Sequence, residues 1–358
     1  MPIDLAAMIK LMIVVIIAGG SGTRLWPLST PVYPKHLLQV DNDQYTILQN
    51  TYRRAKNIAS SIYVVSERSH AHYVKDQLND LAGDHLLIEP DRKGTANCIL
   101  AALVKLKDKE DINEPVAFIH ADHFVRDVNG FVYSFKLAAV TSEQAGKIVL
   151  VGVEPTYAAT GFGYIEKADL LSKYSPVYRV SSFKEKPDYE TAQAYLKSGN
   201  YLWNGGYFVG SISTFDSTIR RYAPKLYSTY QELLDSGLSN FDKIYLKLDN
   251  ESIDYALIEK VKDLLVVSAG FDWMDLGSFA DLYKAVEKDR DGNYRLGKTD
   301  IDETTNCFIQ NNETKPLAVI GLDNCIVINT PAGMLVARKD LSQKVGESAK
   351  RLMARDGQ

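Results

Sequence analysis

Cysteine is scarce. Cys98, Cys307 and Cys325 are the only three in 358 residues, too few and too dispersed for a disulfide framework or a cysteine-based zinc cluster. Each reads as a small buried apolar side chain. Long apolar runs are missing too: the stretch Leu11–Ala18 is too short to span a bilayer and ends in glycines. Asp4 and a single Lys10 ahead of it make a poor secretory signal, so a cytoplasmic protein with no membrane role is expected. There is no basic excess either. A formal charge of −4 with scattered Lys and Arg gives no nucleic-acid footprint, so no nucleic-acid partner is expected. Such a chain can still handle phosphate, because only the pocket needs positive potential. The 46% hydrophobic and 24% charged content is that of an ordinary soluble globular protein.

What is present is concentrated in GGSGTRLWPLSTPVYPKHLLQ, residues 19–39. It follows Ile13-Val14-Val15-Ile16-Ile17, an apolar β-branched run that reads as a buried first strand. Gly19, Gly20 and Gly22 let the chain turn tightly and bring bare N–H groups toward an anion. Arg24 supplies a rigid cationic fork and Lys35 a point charge for phosphate oxygens. The register is neither the dinucleotide GxGxxG, since it ends in Leu25, nor a Walker A loop, which needs Gly-Lys-Ser/Thr. A nucleotide or phosphosugar site at the end of a strand follows, and with it an enzyme.

Apolar runs alternate with helical spacings through the first half. Strands are expected at 62–65, 86–88 and 116–119, with helices over 47–58, 70–81 and 95–106 between them. The middle reads as strands at 147–153, 161–166, 178–183 and 264–268, with helices at 190–197, 255–261 and 279–288. This predicts an α/β, Rossmann-like fold: a mixed, mostly parallel sheet flanked by helices. Asp289-Arg290-Asp291-Gly292-Asn293 marks a polar boundary. Short β pieces about nine residues apart follow it, then a terminal helix over 339–354. Two domains are expected, a catalytic one over 1–290 and a small C-terminal β-rich module over 291–358. No sequence repeat is evident.

Other segments carry chemistry. Asp122, in Phe118-Ile119-His120-Ala121-Asp122-His123, lies just beyond a buried strand, where a carboxylate needs a partner or a metal. His120 and Asp122 would share a face in extended chain, but no cysteine or third histidine stands nearby to make a zinc site. Thr95 could cap the helix that follows. Glu185-Lys186-Pro187 alone would read as a surface turn, and Asp272 as a turn group before a helix.

Taken together, these stretches closely resemble the sugar-1-phosphate nucleotidylyltransferases, specifically the bacterial mannose-1-phosphate guanylyltransferases. The resemblance covers nearly the whole chain and implies the nucleotide-diphospho-sugar transferase type of fold. In that family the glycine loop, here Gly19, Gly20, Ser21, Gly22 and Thr23, wraps the nucleoside triphosphate, and Arg24 with the Lys35 of Tyr33-Pro34-Lys35 would hold its phosphates. Glu89-Pro90 and Thr95-Ala96 resemble the base-recognition stretch, with Lys93-Gly94 and Asn97 where Arg-Asn and Pro are usual. Asp122 would hold Mg²⁺, and the Asp275 of Asp272-Trp273-Met274-Asp275-Leu276-Gly277 would complete its binding. Gly163 and Glu166 in Thr160–Glu166, and Asn204 in Asn204-Gly205-Gly206, match the sugar contacts. Glu185 and Lys186 match the element that grips the sugar phosphate. Asp254, in Ser252-Ile253-Asp254-Tyr255-Ala256, would orient the metal side or cap a helix.

The resemblance implies the reaction GTP + α-D-mannose 1-phosphate → GDP-mannose + diphosphate, with Mg²⁺ as cofactor and a homodimer as the assembly. Ending at Gln358, the chain is expected to carry no isomerase domain or activity. The alternatives are another base or sugar, such as UTP or dTTP with glucose 1-phosphate, and a non-catalytic nucleotide-sugar-binding regulatory homologue.

Overall fold

The computed structural model describes residues 11–20, 22–41, 43–172 and 175–356. They group into two units. One comprises Met1–Ala18, Tyr52–His120 and Val125–Trp273; the other comprises Gly19–Thr51, Ala121–Phe124 and Met274–Gln358.

The first unit is built on a nine-stranded sheet. Its spatial order is Leu86–Glu89, Ala59–Glu67, Met12–Ala18, Pro115–His120, Tyr201–Ser211, Val149–Val153, Leu265–Ser268, Ser175–Lys184 and Gly163–Ser172. The first four strands run parallel, as do Val149–Val153 and Leu265–Ser268. Every pairing made by Tyr201–Ser211 or Ser175–Lys184 is antiparallel. The expected mostly parallel sheet is therefore corrected to a mixed one. The first half has the helix-linked crossovers that parallel pairing requires, whereas 163–211 turns back on itself in hairpin fashion.

Met12–Ala18 is buried along its full length, as a central strand covered on both faces must be. Ile13, Val15 and Ile17 enter one core cluster with the helix Gly94–Lys107. The helix Val128–Ala145 packs on the strands Tyr201–Ser211, Val149–Val153 and Pro115–His120. Sequence spacing did not reveal this helix, because Ser134, Thr141 and Ser142 lie on its buried side among Phe131, Phe135 and Leu137. Its ends were marked all the same. Asp127 caps it by accepting from the Gly130 N–H, and Gly146 closes it in the left-handed conformation. Helices Ile212–Tyr222, Pro224–Asp235 and Gly237–Tyr245 likewise fill a stretch without a sequence assignment.

The second unit carries the C-terminal β-rich module. Thr299 pairs with Leu317, Thr305 with Asp323 and Phe308 with Ile326, all in parallel, so each partner lies 18 residues further along the chain. This is a coil of a β-helix stacked on the next one. The repeat is one of backbone position and of inward apolar residues such as Ile309 and Val327, and it leaves little trace in residue identity. Gly333–Arg338 closes the stack as an antiparallel edge strand. Beyond it, 339–344 forms a 3₁₀ turn and Val345–Asp356 an α-helix. That helix lies against Thr23–Leu25, and Val345 shares a core with Leu25, Leu28, Phe279 and Phe308. Among the described residues no helix is long and apolar enough to cross a membrane.

Candidate active site

In the second unit the glycine loop leaves Gly19 and Gly20 in open space, with nothing within 4 Å of a Cβ placed at either. Ser21 lies outside the described residues. Gly22 is different: its φ is +60° and a Cβ there would stand 2.9 Å from the Lys35 backbone nitrogen. Only glycine takes this turn at this distance. The Ser29 hydroxyl donates to the Gly22 carbonyl and closes the loop. Thr23 and Arg24 follow in a 3₁₀ turn, Thr23–Leu25.

Lys35 points into a pair of carboxylates. Its Nζ stands 2.7 Å from Asp122 Oδ2 and 2.7 Å from Asp275 Oδ1. The two acids are brought together by the short strands His123–Phe124 and Met274–Asp275, which pair antiparallel with Asp275 opposite His123. Arg24 adds a second cation, its Nη2 4.0 Å from Asp275 Oδ2 and its side chain 58% exposed. Burial pulls the Lys35 ammonium toward its neutral form, but the charges of Asp122 and Asp275 more than offset this and leave its pKa raised. Burial pushes the Asp275 carboxyl up and Asp122 does the same, yet Lys35 and His123 leave it net below the ordinary range. The group comprises two carboxylates, one ammonium between them and a guanidinium alongside. Among the described residues no set of three or more His, Cys, Asp or Glu converges as a metal cage. A pair of carboxylate oxygens is the donor set a Mg²⁺ ion takes when phosphates complete its shell.

The first unit holds the remaining candidates. Lys186 sits at φ +43°, and its ammonium, 2.9 Å from Glu185 Oε1, belongs to a side chain 55% exposed. Burial lowers its pKa, but Glu185, Tyr255 and Asp254 outweigh that and raise it. Glu185 is buried, and its Oε2 has no hydrogen-bond partner among the described residues. A Cβ on residue 163 would lie 2.4 Å from that oxygen, so glycine there leaves room for the carboxylate. Glu166 accepts from Ser182 Oγ at 2.7 Å. Asn204 belongs to the strand Tyr201–Ser211 rather than to a loop, and the Gly206 turn at φ +68° disturbs the strand's register there. A Cβ on Gly206 would meet His120 Nε2 at 2.6 Å, so His120 packs on bare backbone.

Two candidates for base contact face inward. Glu89 is buried, accepts from the Tyr245 hydroxyl, and has its pKa raised chiefly by burial. Thr95 Oγ1 accepts from the Ile253 N–H at 3.0 Å. Asp272 accepts from the Arg126 and Asp127 N–H groups at 2.9 and 2.8 Å, which fixes the turn before Val128–Ala145. Sequence reasoning quoted Gly277 only as the end of a motif and missed Gly346. A Cβ at Gly277 would lie 3.1 Å from Arg24 Nη1, and one at Gly346 would lie 3.3 Å from Arg24 Cγ. Nothing in a lone glycine signals such an approach. Tyr245 was missed as well, for want of any reading of its helix.

Comparisons with known proteins identify the family. The sequence model of the family described as Nucleotidyl transferase matches residues 13–292, and that of the MannoseP isomerase/GMP-like beta-helix domain matches 301–352. A mannose-1-phosphate guanylyltransferase of Escherichia coli is 34% identical over 93% of this chain and 74% of its own length. One from Salmonella montevideo is 35% identical over 92% of this chain and 72% of its own. A crystal structure from Thermus thermophilus, described as a mannose-1-phosphate geranyltransferase, is 28% identical with a TM-score of 0.85, covering 96% of this chain and 100% of that one. The chain belongs to the nucleotidyl transferase family, among its mannose-1-phosphate guanylyltransferases.

Proposed function

We propose that the protein joins GTP to α-D-mannose 1-phosphate, giving GDP-mannose and diphosphate. The observation that carries this reading is the Lys35 ammonium held between Asp122 and Asp275 with Arg24 beside it. Cations and hard oxygen donors are combined there as the transfer of a nucleotide from a triphosphate requires. The names of the relatives supply the base and the sugar.

The sugar phosphate is already anionic, so no base is needed to generate the nucleophile. One of its oxygens forms a bond to the α-phosphorus of GTP as the bond from that phosphorus to the β-phosphate bridging oxygen breaks. Diphosphate leaves with that electron pair. Bringing two polyanions together makes neutralisation and alignment the main catalytic contributions. Arg24 and Lys35 bind the triphosphate and the departing diphosphate, with the N–H groups of Gly19, Gly20, Gly22 and Thr23 around them. Lys186 binds and orients the incoming phosphate, and Glu185 with Glu166 and Asn204 line the sugar side. Asp122 and Asp275 would hold Mg²⁺, which supplies charge neutralisation to the nucleotide phosphates when bound. Residues 1–290 form the catalytic module in this reading, and 291–358 the β module.

Diphosphate release from four nucleoside triphosphates, each paired with mannose, glucose and related sugar 1-phosphates, tests it. Release with GTP and mannose 1-phosphate is expected. Release only with UTP or dTTP and glucose 1-phosphate would replace the specificity and keep the chemistry. No release from any pair would leave a nucleotide-sugar-binding regulator.

A further inference from the structure

The start of the helix Gly94–Lys107, on the base side of the first unit, is fastened to residues 249–254 by four hydrogen bonds. Ala96 N–H donates to the Glu251 carbonyl at 3.1 Å, and Glu251 N–H donates back to the Lys93 carbonyl at 3.1 Å. The Asn97 carboxamide, itself buried, donates to the Lys93 and Asp249 carbonyls at 2.7 and 2.8 Å. Ile253 N–H donates to Thr95 Oγ1 at 3.0 Å. The closeness depends on residue 94 being glycine: its φ is +83° and a Cβ would fall 2.2 Å from the Glu251 carbonyl oxygen. Lys93, Gly94 and Asn97 are the positions where this chain leaves the usual base-recognition pattern, and all three serve this junction, Lys93 through its carbonyl.

The same segment continues to the sugar side. Ser252 Oγ donates to Asp254 Oδ2 at 2.6 Å, and Asn204 Nδ2 donates to Asp254 Oδ1 at 2.7 Å. Asn204 Oδ1 in turn accepts from the Gly206 N–H at 3.0 Å. Asp254 also contributes to the charge felt by Lys186 and Glu185. Each end of the Asn204 carboxamide is thus committed, and its orientation is set from Asp254.

We propose that residues 249–254 are a brace that couples the base side to the sugar side, with Asn97 and Asp254 as positioning residues and neither substrate touching Asn97. This deepens the proposed function and rests on it. A nucleotide that orders the helix start would then pre-order Asn204 and the surroundings of Lys186, raising affinity for the sugar phosphate. Coupling of this kind between two sites typically amounts to 5–150-fold in affinity and is reciprocal.

The variant Asn97→Asp tests it, because it keeps the shape but removes both donors. Deuterium uptake of the peptide spanning 200–207 reads the brace without any ligand and is expected to rise in Asn97→Asp and in Asp254→Asn. Calorimetric binding of mannose 1-phosphate, with and without a non-hydrolysable GTP analogue, reads the coupling. Wild-type protein should bind the sugar phosphate at least about fivefold more tightly with the analogue present, and Asn97→Asp should bring that factor close to one. The Asn97→Asp/Asp254→Asn double variant should be no worse than the poorer single one. Unchanged uptake at 200–207 together with an unchanged coupling factor would overturn the proposal. If Asn97→Asp does not fold, Thr95→Val removes one fastening and is read in the same way. Wild-type protein that binds neither ligand would remove the functional reading alone, and the exchange measurement would still judge the brace.

Discussion

Lys35 and Asp275, 240 residues apart in the chain, meet at 2.7 Å, and the same ammonium reaches Asp122 at an equal distance. A buried cation shared by two acids fixes the position of charge in the site before any phosphate arrives. The arrangement also sets the ammonium in competition with any divalent ion for the same oxygens.

Lys35→Met removes that competitor and the phosphate contact together. Divalent-ion binding to the free protein, followed by titration calorimetry with Mn²⁺, should tighten. Diphosphate release should fall about 10²–10³-fold, as for loss of a transition-state charge contact. Unaltered ion affinity would show that the ammonium does not occupy the carboxylate pair in solution.

Lys186 stands apart from that cluster in its burial and its partners. Lys186→Ala should lower kcat/KM for mannose 1-phosphate by about 10²–10³-fold and leave GTP binding nearly untouched. Steady-state kinetics with each substrate varied in turn separates the two effects.

Gly346 tests whether the C-terminal helix sets Arg24. A side chain there would press on the Arg24 stem, 3.3 Å from where its Cβ would be. Gly346→Val should reduce kcat/KM for GTP by about tenfold to a hundredfold through misplacement of the guanidinium. The thermal midpoint should fall only modestly, by the amount an overpacking of about 1–3 kcal/mol produces. Equal losses for GTP and for mannose 1-phosphate would point to general loosening instead.

Glu89 gives a prediction in pH. Its carboxyl is raised above the ordinary 4.5, chiefly by burial. The folded protein therefore binds this proton more tightly than the unfolded chain. Stability then declines as pH rises from 4.5 through the raised value, and the penalty persists above it. Glu89→Gln escapes the penalty and still accepts from Tyr245. Its thermal midpoint should exceed that of the wild type at pH about 7.5, and the gap should close below the ordinary carboxyl value of about 4.3. KM for GTP should stay within about threefold; a loss of about 10²-fold or more would mean that Glu89 does read the base.

The cationic loop and Asp122 stood out in the sequence because their chemistry is costly elsewhere, whereas Asp275 was pointed to only by the family resemblance. Glycines at 20 and 22, cations at 24 and 35, and an acid just after the apolar strand at 116–119 have few uses in a bland turn. Parallel strands in the first half were legible for a similar reason, since unbroken apolar runs such as Ile13–Ile17 fit only a doubly covered sheet. What escaped was set by tertiary contact. The helix Val128–Ala145 hides hydroxyls on its inner side, and Ser134 satisfies its own by donating to the Gly130 carbonyl. The inward turn of Glu89 depends on Tyr245, 156 residues away. The Gly94 and Asn97 departures looked like losses of pattern until residues 249–254 were seen against them.

The pairing of Thr299 with Leu317 and of Phe308 with Ile326 gives the stack beyond its opening rung, where Tyr294 meets Phe308 after 14 residues, a unit of 18 residues to the turn. Splicing one whole winding in or out would keep Ile309- and Val327-type positions pointing to the interior. Any other increment would rotate them toward water and misalign every rung beyond the splice. Variation in the size of this tail should therefore come in whole coils, with Gly333–Arg338 and the final helix carried along as an intact cap.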